Sequence, residues 1–195
     1  MKKNNKSAII LLSGGQDSTT ALFWAKKRFE YIECVSFDYG QIHKIELNSA
    51  RKITKLLNIR HKIFKINEFK EIKSSSLLNR KISVDKKDRI NKNLPSSFVP
   101  GRNILFLTVA AAYAYTWNIH NIVIGVSQVD FSGYPDCRDN FIKTMEKSLC
   151  LGMEYKIRIH TPFIKKTKKD IVLLAKRLGA LKYLKFTHTC YRGKY

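Results

Sequence analysis

Ser7-Ala8-Ile9-Ile10-Leu11-Leu12 runs directly into Ser13-Gly14-Gly15-Gln16-Asp17-Ser18-Thr19-Thr20, and a helical stretch follows from about Asp17 to Arg28. A short unbroken apolar run suits a strand buried on both faces of a parallel sheet. Two glycines let the backbone take angles that other residues resist and let it come close to a ligand. The amides converging there lie beside a helix N-terminus, whose dipole attracts anions. Strand, glycine loop and helix in this order predict the opening unit of an α/β fold with an anion site at the sheet edge.

The alternation continues outward from that unit. Tyr31–Phe37 reads as a second strand, and Ile42, Ile45, Ser49, Ile53 and Leu56 mark one face of a helix. His61–Ile66 reads as a third strand, Asn121–Val126 as a fourth and Lys156–Ile159 as a fifth. An apolar helix is expected from near Asn103 and another over Asp139–Leu149. Thr167 with Asp170 has the form of a capping box, Ile171, Leu174 and Leu178 form an apolar stripe, and Gly179 stands where a helix would stop. Between the third strand and the apolar helix, residues 67–95 dissolve into Lys, Ser, Asn and Asp and read as a flexible insertion, closed by Pro95 and Pro100. The expected architecture is a doubly wound, Rossmann-like five-stranded parallel sheet with flanking helices, one domain over residues 1–195.

At 195 residues, 44% hydrophobic and 11% aromatic, the chain can bury a full core, which excludes wholesale disorder. Its longest apolar run, Ile104 to Trp117, is shorter than a membrane span. The apolar part of the N-terminus, Ala8 to Leu12, is shorter than the core of a signal peptide. Four cysteines do not make a disulfide scaffold at this length, so the chain reads as cytoplasmic, without a membrane partner. With 37 basic and 15 acidic residues the net charge is +22. Such a charge permits RNA binding through counterion release. The lysines are nonetheless scattered, without an arginine-rich arm or an aromatic RNA-binding motif, which suits genome composition at least as well.

The glycine loop lacks the GxxxxGK[ST] pattern of a Walker loop. It resembles the PP-loop, SGGxDS, of the ATP pyrophosphatases, which cleave ATP between its α and β phosphates to activate a carbonyl or carboxylate. By that resemblance Leu12, Ser13, Gly14, Gly15, Gln16, Asp17, Ser18, Thr19, Thr20, Ala21 and Leu22 form the ATP-binding stretch, with Asp17 and Ser18 catalytic. Asp17 would either cap the helix or hold a magnesium ion bridging the phosphates.

Three further stretches narrow the resemblance. Phe37-Asp38-Tyr39-Gly40-Gln41-Ile42-His43 with Glu46 and Ala50, Phe98-Val99-Pro100-Gly101-Arg102-Asn103, and Asp130-Phe131-Ser132-Gly133-Tyr134-Pro135-Asp136-Cys137-Arg138 resemble the FDYGQxH, VPGRN and DxSGYPDCR segments of the 7-cyano-7-deazaguanine synthase family. The resemblance implies an ATP-dependent ligase of queuosine biosynthesis, which joins ammonia to 7-carboxy-7-deazaguanine and passes through an amide to the nitrile. No direct nucleic-acid binding is required, and relatives suggest a homodimer. Arg102 would stabilise charge developing on the activated carboxylate. Substrate contacts are expected from His43, Arg102, Asn103, Asp130, Tyr134, Asp136 and Arg138. A carboxylate such as Asp130 or Asp136 is the natural acceptor for a deazaguanine's N–H edge, and Phe131 or Tyr134 could stack on its ring. Asp136 serves equally as a helix cap, Arg138 as one half of an ion pair and Asn103 as a helix N-cap. The competing readings are another PP-loop ligase, thiolating tRNA or forming lysidine, and an inactive ATP-binding remnant.

The family also binds zinc through four cysteines, one in a TCY segment and three in a following CGxCxxC. Here Thr189-Cys190-Tyr191 is followed by four residues, so 186–195 reads as the truncated start of that tail, with Cys190 the single ligand present.

Overall fold

A computed structural model describes residues 6–42, 44–71, 74–129 and 133–188. Strands β1 (Ser7–Leu11), β2 (Tyr31–Asp38), β3 (His61–Lys65), β4 (Asn121–Ile124) and β5 (Arg158–His160) form one parallel sheet in the order β3-β2-β1-β4-β5. Helices α1 (Gln16–Lys26), α2 (Ile45–Leu56), α3 (Arg102–Thr116), α4 (Asp139–Met153), α5 (Lys168–Arg177) and α6 (Leu181–Leu184) cover its faces. Every residue of β1 is buried because both faces are covered. Ile9 and Leu11 join a core with Leu107, Ala111 and Ile142, from α3 and α4. Ala8, Ile10 and Leu12 join another with Leu22, Ile53 and Ile171, from α1, α2 and α5. The strand order reverses between β1 and β4, which opens a crevice beyond their carboxyl ends. Among the described residues, no helix is long and apolar enough to cross a membrane.

The doubly wound sheet expected from the alternation is present, with shifts at element ends that have local causes. β4 stops at Ile124 rather than Val126, because the next residue, Gly125, passes under the glycine loop. A Cβ there would lie 2.8 Å from the Asp17 carbonyl oxygen. β5 starts at Arg158 rather than Lys156, because Ile157 turns its N–H and C=O to Cys150 Sγ at 3.3 and 3.2 Å. Ile42 lies outside α2, because residues 39–41 are spent in a turn. Gln41 accepts the Tyr39 N–H at 2.9 Å and donates to the Phe37 carbonyl at 3.2 Å. The face that α2 buries is Leu47, Ala50, Ile53 and Thr54, and Leu56 is half exposed.

α4 runs on to Met153 and ends at Glu154, which has a left-handed backbone. The capping box forms as expected: Asp170 N–H donates to Thr167 Oγ1 while Thr167 N–H donates to Asp170 Oδ2. Within residues 67–95, side chains hold successive turns, among them Asn79, Asp88 and Asn91 accepting N–H groups two residues on. That segment also sends Leu77 into the core against α3.

Candidate active site

The loop after β1 is closed by its own hydroxyls. Ser13 N–H donates to Ser18 Oγ at 3.2 Å, Gly15 N–H donates to Ser13 Oγ at 3.2 Å, and Ser18 Oγ donates to the Gly15 carbonyl at 3.1 Å. Gly14 has φ +92°, and a Cβ there would fall 2.0 Å from the Glu46 carbonyl oxygen. The loop thus rests on the first turn of α2, and no residue with a side chain fits. Gly15 is the N-cap of α1 and has no side chain to cap it. The opening turn of α1 is therefore left to line a cavity of about 240 Å³.

Two polar groups line this cavity. The first is the loop, through Ser13, Gly15, Gln16, Asp17 and Ser18, together with Lys168 from the start of α5. Lys168 Nζ donates to Asp17 Oδ2 at 2.5 Å. Asp17 Oδ1 is buried and has no protein partner among the described residues. Asp17 is therefore not the helix cap, and an orphaned carboxylate oxygen beside an anion site fits a bridging cation.

The second group is Arg102, Tyr39, Glu46 and Tyr134. Arg102 acts electrostatically on the Tyr39 hydroxyl, and its guanidinium lies 5.5 Å from the centre of the Tyr134 ring. Tyr134 is buried, its hydroxyl 2.7 Å from that of Ser97. Burial pushes the Glu46 carboxyl up to about 7 against the opposing pull of Arg102. The same two influences act on Tyr39, and burial again prevails, raising its pKa. Phe37 and Phe106 stack with centres 4.1 Å apart and form an apolar wall.

Several residues expected at the site are elsewhere. Thr19, Thr20, Ala21 and Leu22 are in the core rather than on the cavity, because α1 turns them towards the sheet and α5. The Thr20 hydroxyl donates to the Gln16 carbonyl. Gly14 shapes the loop from behind without lining the cavity. Asn103 lines it but is not an N-cap; Gly101 takes that place, with φ +75°. Asp136 caps α3 from another segment: its Oδ2 accepts the Asn103 N–H at 3.2 Å, while Asn103 Nδ2 donates to its carbonyl. Its carboxylate is thereby committed to holding α3 and does not reach the cavity. Arg138 is exposed at the start of α4 and does not line the cavity, although its neighbour Cys137 does. His43, Asp130, Phe131 and Cys190 lie outside the described residues. Among the described residues no three His, Cys, Asp or Glu gather as a metal cluster, so zinc finds no fitting ligand set there. Glu46, Tyr39, Lys168 and Gly125 were not expected as site residues. The first two stand in a motif quoted above, whereas Lys168 reaches Asp17 across 151 residues of chain, with no local signal.

A glycine loop with an uncapped helix behind it, at the switch point of a parallel sheet, defines the class: an ATP-using enzyme of the PP-loop kind. A solved NMN synthetase from Francisella tularensis shares the fold, with a TM-score of 0.57 and 17% identity over 96% of this chain and 67% of that one. The family model described as queuosine biosynthesis protein QueC matches residues 7–195. A 7-cyano-7-deazaguanine synthase of Chromobacterium violaceum is 46% identical over 193 residues, 98% of this chain and 82% of that one. One of Clostridium botulinum (strain 657) is 48% identical over 191 residues, 97% and 87% of the two chains. The chain belongs to the QueC family.

Proposed function

We propose that this cavity makes 7-cyano-7-deazaguanine from 7-carboxy-7-deazaguanine, ATP and ammonia. The observation that carries the reading is one cavity lined by both an uncapped glycine loop and the Arg102–Tyr39–Glu46 cluster. A carboxylate is a poor electrophile, so it must acquire a leaving group before nitrogen attacks. The amides of residues 15–18 and the hydroxyls of Ser13 and Ser18 hold the phosphates, and Lys168 supplies the cation that a Walker loop would carry itself. Asp17 would hold magnesium, which neutralises phosphate charge when bound.

A substrate carboxylate oxygen attacks the α-phosphorus and pyrophosphate leaves. Ammonia then displaces AMP to give the amide. The amide oxygen is activated in the same way, and loss of a second AMP leaves the nitrile. Arg102 stabilises the oxyanion in each step. Asp136 positions Arg102 by anchoring the adjacent Asn103. Asn103 and Tyr134 contact the deazaguanine, joined by His43 and Asp130. The reaction belongs to the ATP-rich cytoplasm, and the protein acts as a homodimer built on the outer face of α3.

The test is incubation with ATP, ammonium and 7-carboxy-7-deazaguanine, followed by mass spectrometry. Nitrile is the expected product, with Arg102→Ala slower by about 100-fold or more. A folded chain that forms no nitrile but retains tRNA would point to a tRNA-modifying ligase instead.

A further inference from the structure

We propose that Glu46 is the base that takes a proton from ammonium and so generates the attacking ammonia. The proposal rests on the reading of the cavity given above. At neutral pH ammonia is almost wholly ammonium, which has no lone pair and cannot attack a carbonyl carbon. An enzyme using free ammonium therefore needs a proton acceptor beside the activated carboxylate.

Among the described residues the cavity has two lining carboxyls, Asp17 and Glu46. Asp17 is held by Lys168. Glu46 makes no hydrogen bond or ion pair among the described residues, although Arg102 bears on it electrostatically. Its main chain is the surface against which the phosphate loop packs: the Glu46 carbonyl oxygen occupies the space where a Cβ of Gly14 would stand. That contact ties Glu46 to the wall where ATP is held. The aromatic rings of Tyr39 and Phe106, 5.3 Å apart, line the same cavity and offer ring surface that attracts a small cation.

Among the described residues, the charged and titratable groups lining the cavity with Glu46 are Arg102 from α3, Tyr39 after β2, Tyr134 and Cys137 before α4, and the Asp17–Lys168 pair joining α1 to α5. Burial holds the carboxyl near neutrality, strong enough as a base yet still ionised in a useful fraction. In the step, Glu46 takes one proton from ammonium. The freed lone pair forms the C–N bond, the bond from that carbon to the AMP oxygen breaks, and the second surplus N–H proton passes to solvent.

Two assays on wild type, Glu46→Gln and Glu46→Asp separate this role from others. Exchange of labelled pyrophosphate into ATP, driven by 7-carboxy-7-deazaguanine, reports activation without any ammonia. Nitrile formation against pH and ammonium concentration reports the nitrogen step. Glu46→Gln is expected to keep exchange within about threefold, to form nitrile about 100-fold more slowly at about pH 7, and to regain at least about tenfold near pH 9, where free ammonia is plentiful. Glu46→Asp should retain part of the neutral-pH rate. Loss of exchange in step with nitrile formation would overturn the proposal, since Glu46 would then be holding the acid or Arg102. An undiminished nitrile rate for Glu46→Gln at neutral pH would overturn it equally. Absence of exchange in the wild type would defeat the cavity's assignment itself and the proposal with it.

Discussion

Glu46 has a cost that can be measured apart from any turnover. A carboxyl whose folded pKa is raised from the ordinary 4.5 to about 7 binds its proton more tightly in the folded chain. Between those values the folded state holds more protons than the unfolded one, so stability falls as pH rises. Above pH 7 the loss reaches about 3 kcal/mol. Glu46→Gln removes the ionisable group while keeping its shape. In urea titrations the variant is expected to be more stable than wild type by about 2–3 kcal/mol at about pH 8, with the gap closing towards pH 4.5. A gap that does not change with pH would contradict it. The glycine loop and Arg102 were legible as positions on the cavity wall because backbone freedom and fixed charge can be read from residue type. Glu46 and Lys168 were not, because their roles depend on neighbours supplied by the fold: burial and Arg102 for one, Asp17 for the other. Asp136 was read as either a cap or a contact, and the choice turned on a hydrogen bond to Asn103, 33 residues away in the chain.

Among the elements, β1 and α5 were the most legible. An unbroken apolar run and a complete capping box are local signals, and each forms where the residues stand. The starts of α2 and β5 were less so. Gln41 holds a turn that delays one, and Cys150 takes the backbone groups that would extend the other. α3 carries a further message. Of its 15 residues Arg102 alone is charged, yet Ile104 and Tyr115 further along are 48% and 56% exposed. In a chain of net charge +22, like molecules repel unless the faces that meet are uncharged. This outer face suits a twofold contact between copies, in which one patch meets itself. In sedimentation, wild type is expected to run as a dimer and a chain carrying Ile104→Lys and Tyr115→Lys as a monomer. Wild type sedimenting as a monomer, or the variant remaining a dimer, would contradict this use of α3.

At the scale of the whole molecule, the sheet order β3-β2-β1-β4-β5 explains why the four motifs meet. β1 delivers the glycine loop, β2 delivers Tyr39, and the segments entering α3 and α4 deliver Arg102 and Tyr134 at the switch-point crevice. Most of the net charge lies on scattered lysines, and among the described residues the cations lining the cavity are Arg102 and Lys168. The reaction therefore turns on whether this crevice moves oxygen from the substrate acid to the α-phosphate of ATP. The most direct measurement supplies 7-carboxy-7-deazaguanine labelled with oxygen-18 in its carboxylate, with ATP and ammonium, and locates the label by mass spectrometry. The account predicts that the released AMP carries one labelled oxygen and that none remains in the nitrile. Label recovered in water or in inorganic phosphate, or nitrile formed with unlabelled AMP, would contradict it.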